Sequence, residues 1–112
     1  MFEMTKETIG TVYEALKVAV VAAYEAGEVA IAAKSNLEAM RLSMLMTGEI
    51  FGKNEVEREA KARQLLEGEF RAAEIYEAEA RRRKMALEVA RLDVEQARAQ
   101  LRLMELVEAA AG

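Results

Sequence analysis

Apolar residues recur every seven positions along almost the whole of this chain. The recurrence is interrupted once, by a glycine-bearing stretch near the middle. Before the interruption, Ile9, Leu16, Ala23, Ala30, Leu37 and Met44 form one row, and Val12, Ala19, Ala26, Ala33 and Met40 form another three residues further on. Two rows so spaced lie on one face of an α-helix and make a seam for a second helix. After the interruption, Leu66, Ala73, Ala80, Leu87, Val94 and Leu101 form a row, with Tyr76, Ala90, Ala97 and Met104 as its companions. Glu69 and Arg83 interrupt the companion row. The chain has no proline, so nothing in it breaks a long helix by ring geometry. The pattern predicts an all-α chain in a single domain, 1–112. It consists of a helix over about residues 5–46, a turn over about 47–54 and a helix over about 55–110, folded as an antiparallel, coiled-coil-like helical hairpin.

The turn carries its own punctuation. Gly48 or Gly52 can close the first helix in a left-handed cap, because glycine reaches positive φ without a Cβ clash. Asn54 is a good N-cap with Glu57 three residues on, the spacing of a capping box. Arg58 is placed to reach back to the last carbonyls of the first helix. Ile50 and Phe51 are apolar in an otherwise polar loop and are expected to plug the end of the helix pair, with an exposed hook as the competing role. Other start signals compete as well: Thr5, Thr11 with Glu14, and Ser35 with Glu38. The last of these makes a break near Lys34–Asn36 a live alternative. Gly68 marks a weak point or a close crossing in the second helix.

Apolar residues also lie outside the seam. Tyr13, Val20, Tyr24 and Ile31 flank it on one side of the first helix, and Val18, Ala22, Val29 and Ala32 on the other. In the last third of the chain, Met85, Val89, Leu92, Ala99, Leu103 and Leu106 form a stripe opposite the seam. One helical neighbour does not cover two faces. The arms are also unequal, about 63 Å against about 84 Å at 1.5 Å per residue. Pairing about residue 50 sets Glu69 near Lys34 and Arg83 near Glu14, and leaves roughly 14 residues beyond the start of the first helix. Leu101, Leu103, Met104, Leu106 and Val107 fall in this overhang, where exposed apolar side chains invite association. A homo-oligomer is expected, most simply a dimer forming a four-helix bundle. A tip reserved for a different protein is the competing reading.

Several chemistries are disfavoured. Without histidine or cysteine there is no imidazole base, thiol nucleophile or thiolate metal site. Glu74, Glu77 and Glu79, like Glu55, Glu57 and Glu59, do not share one helix face. Gly52-Lys53 lacks the rest of a phosphate loop. No enzyme activity, metal or other cofactor is expected. Net charge is −4, and the two signs interleave along the chain, which disfavours nucleic acid as a partner. Arg81-Arg82-Arg83-Lys84 is the one basic run and the candidate phosphate contact, extended by Arg91, Arg98 and Arg102. It is bracketed by Glu77, Glu79 and Glu88, which suits a solvated, ion-paired face better. The opening residues Met1–Glu7 have no basic patch leading into a bare apolar core, so no signal peptide is expected. The most apolar window, Leu16 to Ala33, holds Lys17, Glu25 and Glu28 and is a poor membrane span. A cytoplasmic location follows as the expectation. Gly10, Gly27 and Gly68 make the helices more irregular than an idealised design would have.

The turn Gly52-Lys53-Asn54 followed by Arg58, leading into a helix rich in Glu, Ala and Arg that ends in leucines, resembles small bacteriophage and prophage proteins of uncharacterised function with a G-K-N-x-x-x-R turn between helices. The resemblance covers about residues 45–105. It implies a phage-linked origin, host cytoplasm as the location and a host or phage protein as target, as for an accessory factor or inhibitor, with no defined activity. A second comparison is with secreted helical hairpins that carry a W-x-G turn, where Ile50-Phe51-Gly52 takes the comparable place. The tryptophan is absent here and the arms are unequal.

Overall fold

The computed structural model describes residues 6–112, and these are all-helical in their regular structure: α1 (Lys6–Met46), α2 (Glu55–Leu65) and α3 (Glu67–Ala111). The candidate N-cap Thr5 lies outside the described residues. The other candidate starts lie within α1, which is continuous. Thr11 Oγ1 donates back to the Glu7 carbonyl at 2.9 Å, and Asn36 Nδ2 donates to Met40 Sδ at 3.6 Å. A capping side chain serves an N–H that lacks a helical partner. Within an established helix the backbone supplies that partner, so neither box forms and no break falls at Lys34–Asn36.

The second arm differs from expectation. The helix expected over about 55–110 is interrupted at Leu66, whose φ of −116° and ψ of 31° depart from helical values. Hydrogen bonding continues across the interruption: Leu66 N–H donates to the Ala62 carbonyl at 2.8 Å and Phe70 N–H to the Leu66 carbonyl at 2.9 Å. Leu66 is 1% exposed. It forms a buried cluster with Leu37 and Ala73, surrounded by Ala33, Met40, Met44 and Phe70. The weak point expected at Gly68 therefore falls two residues earlier. A Cβ at Gly68 would meet nothing within 4 Å, so Gly68 marks no close crossing.

The chain forms two compact units. In Glu25–Arg81, the later part of α1 packs on α2 and the start of α3 through Leu37, Leu66 and Ala73. Ala30, Ile50 and Ala62 are buried there too. The other unit joins the described residues up to Tyr24 with Arg82–Gly112. Its α1 and α3 segments run in opposite directions: Thr8, Thr11 and Ala15 share a groove with Gln96 and Gln100, and Val18 and Ala22 share one with Arg83 and Ala86. Ala90, Val94 and Ala97 are buried in this unit, while Ile9, Val12 and Leu16 are half-buried. Every buried residue of α1 and α3 belongs to the seven-residue rows, so the seam was legible. In the companion row of α3, Tyr76 and the interrupting Arg83 are exposed.

Candidate functional site

The turn is built as a pair of caps. Gly48 has φ +81° and donates to the Leu45 carbonyl at 3.3 Å, while Ile50 N–H reaches the Met44 carbonyl at 3.1 Å. These bonds satisfy carbonyls at the C-terminal end of α1. Gly52 does different work. A Cβ there would lie 2.7 Å from Glu57 Cβ and 2.9 Å from Arg58 N, so the loop passes too close to α2 for any side chain. Asn54 accepts from Glu57 N–H at 2.9 Å. Glu57 Oε2 accepts from Lys53 N–H at 2.7 Å, one residue earlier than the usual reciprocal partner. Arg58 does not reach the last carbonyls of α1. Its Nη1 donates to the Gly52 carbonyl at 3.2 Å, and its Nη2 pairs with Glu55 at 3.2 Å. Gly48, by terminating α1 with its own bonds, leaves Arg58 to clamp the loop instead.

Ile50 and Phe51 divide the two roles expected of them. Ile50 is 3% exposed and plugs the core; Phe51 is 67% exposed. Lys61 Nζ stands 5.3 Å from the Phe51 ring centroid, a cation–π distance. Residue patterns missed the network beside the turn. Arg41 pairs with Glu59, Glu59 with Arg63 at 3.4 Å, and Arg63 with Glu74 at 3.6 Å. The Arg63 guanidinium also lies 4.7 Å from the Phe70 ring centroid. Only the Glu59–Arg63 spacing of four residues announces itself in the sequence. These contacts brace the unit Glu25–Arg81.

The basic run Arg81, Arg82, Arg83 and Lys84 is exposed throughout. Arg83 lines the groove that also holds Glu14. Among the described residues, no group of acidic side chains is arranged to hold a metal ion, and no helix is long and apolar enough to cross a membrane.

The five residues assigned to the overhang part company. Leu101 and Met104 are half-buried, whereas Leu103, Leu106 and Val107 are exposed. Leu101 and Leu106 line a groove with Ile9 and Tyr13 of α1, so the first turns of α1 extend further along α3 than residue counting placed them.

A regular apolar stripe runs along the outer side of α3. Met85, Val89, Leu92, Leu103 and Leu106 are 50–67% exposed. With exposed Gln96 and Ala99 they alternate steps of four and three residues, the spacing of a coiled-coil seam. The stripe lies opposite buried Ala90, Val94 and Ala97, and at its C-terminal end Ala99 and Leu106 also border the groove with Ile9 and Tyr13. On α1 of the same unit, Tyr13, Val18, Val20, Val21 and Tyr24 are also exposed. Comparison of the chain with protein-family models, with curated proteins and with solved structures finds no match in any of the three.

Proposed function

We propose that the chain is a non-enzymatic helical interaction protein, an antiparallel hairpin that self-associates into a dimeric four-helix assembly. The observation that carries this is the outer stripe of α3: a second heptad seam, complete in its spacing and open to solvent along Met85–Leu106. Scattered exposed apolar residues are ordinary on a protein surface, but a contiguous stripe is not. Each large side chain on it that becomes covered contributes about 1–2 kcal/mol. A second helix laid along the stripe covers several at once, with no polar group in need of a new partner except Gln96.

Light scattering on the purified chain across a concentration series tests this. The expected result is twice the chain mass of 12.5 kDa at tens of micromolar, about the range in which modest helical interfaces associate. A monomer at every concentration would overturn it. The resemblance of the turn to phage and prophage proteins supports a further protein target for the assembled form, which capture from a host lysate addresses.

A further inference from the structure

We infer that the partner on the outer face of α3 is α3 of a second copy, running antiparallel, with Leu92 opposite Leu103 and Val89 opposite Leu106. This rests on the proposed self-association and adds its direction and register. The argument comes from the charges beside the stripe. In this seam Val89, Gln96 and Leu103 take one set of core positions and Met85, Leu92, Ala99 and Leu106 the other. The flanking positions are then Glu88, Glu95 and Arg102 on one side, and Ala86, Asp93, Gln100 and Val107 on the other.

A parallel pair sets residues of one flank against residues of the other flank five positions later. Glu88 would face Asp93, a like-charge contact repeated by symmetry, and no opposite charges would meet. An antiparallel pair sets each flank against itself. With Leu92 opposite Leu103, Glu95 of each copy stands beside Arg102 of the other, Asp93 beside Gln100, and Ala86 beside exposed Val107. Gln96 faces Ala99, the small side chain that leaves it room. One heptad step away, Glu88 would meet Arg102, but Glu95 would then face Glu95 and Asp93 would face Asp93 of the other copy, and these like-charge contacts, absent from the chosen register, discriminate against the slip. The chosen arrangement is isologous and closes as a dimer.

Glu95 and Arg102 are seven residues apart on one helix and are too distant to pair within a chain. This makes charge reversal diagnostic. Glu95→Arg turns both intermolecular pairs into like-charge contacts, and Arg102→Glu does the same; each is expected to weaken dimerisation about tenfold. When the two variants are mixed, every flank contact becomes Arg against Glu, and the heterodimer is expected to recover the unmodified affinity. Sedimentation velocity on each variant and on the mixture, with circular dichroism to confirm unchanged helicity, reads all of this. Recovery in the mixture supports the antiparallel register. Weakened single variants with no recovery, or single variants without effect, overturn the register and leave self-association standing. A monomeric unmodified chain overturns both.

Discussion

At the scale of single residues, the glycines separate into those the backbone requires and those it merely tolerates. Gly48 sits at φ +81°, where an L side chain is strained by about 1 kcal/mol or more. Gly52 has no room for a Cβ because Glu57 Cβ and Arg58 N stand 2.7 Å and 2.9 Å from where it would be. Both atoms belong to the first turn of α2, so relief would have to move the helix start. Gly27 is mid-helix with open space around it. Gly52→Ala is therefore expected to destabilise by about 1–3 kcal/mol, whereas Gly27→Ala is expected to stabilise by about 0.5–1 kcal/mol by restricting the unfolded chain. Thermal unfolding followed by circular dichroism checks the pair: Tm should fall for the first and rise for the second. A fall for Gly27→Ala would overturn that expectation.

At the scale of elements, the caps and the Leu66 interruption organise the unit that contains the turn. Asn54→Ala removes the acceptor for Glu57 N–H and is expected to lower stability by about 1 kcal/mol. Asn54→Asp should be nearly neutral, because a carboxylate accepts the same bond and suits a helix N-terminus. Leu66→Ala should lower stability by about 2–5 kcal/mol, since Leu66 is the one large side chain among the described residues that is fully enclosed. Denaturant titrations measure both. These elements also show where sequence patterns carry information. The seven-residue rows located the seam because burial follows helical period, and Asn54 with Glu57 located the start of α2 because capping is local. The interruption at Leu66 was not legible from the rows: apolar periodicity continues through it, and the residue that departs from helical geometry is a good helix former. The Arg41–Glu59 pair joins residues on opposite sides of the turn, which no local pattern records. Counting residues along two straight rods did not set Ile9 and Tyr13 beside Leu101 and Leu106, which share a groove. The outer stripe of α3 was legible as a pattern, but its exposure depends on which neighbours exist in space.

At the scale of the whole molecule, surface charge and surface apolarity point to different partners, and apolarity is the more ordered signal. The formal charge of −4 works against an extended phosphate backbone, whose binding draws on neutralising several phosphates at once. Gel shift with duplex DNA at about physiological salt, roughly 0.15 M, is expected to show no complex; a salt-dependent shift abolished by replacing Arg81–Lys84 with alanine would instead assign that run a nucleic-acid role. The decisive experiment compares two exposed leucines of equal exposure. Leu103 is 60% exposed on the outer stripe of α3, and Leu42 is 59% exposed on α1, where Leu45 and Met46 follow it at the end of the helix. Both side chains are more exposed than covered within the chain, so the helix content of both glutamate variants should match the unmodified protein. If an exposed apolar residue promoted association merely by being apolar, the two substitutions would weaken it alike. A seam behaves otherwise: Leu103→Glu buries an unpaired carboxylate against Leu92 of the partner and should raise the dimer dissociation constant by on the order of a hundredfold. Leu42→Glu should leave it unchanged. Equal effects in sedimentation equilibrium would show that association is unspecific, and loss with Leu42→Glu alone would move the interface to α1.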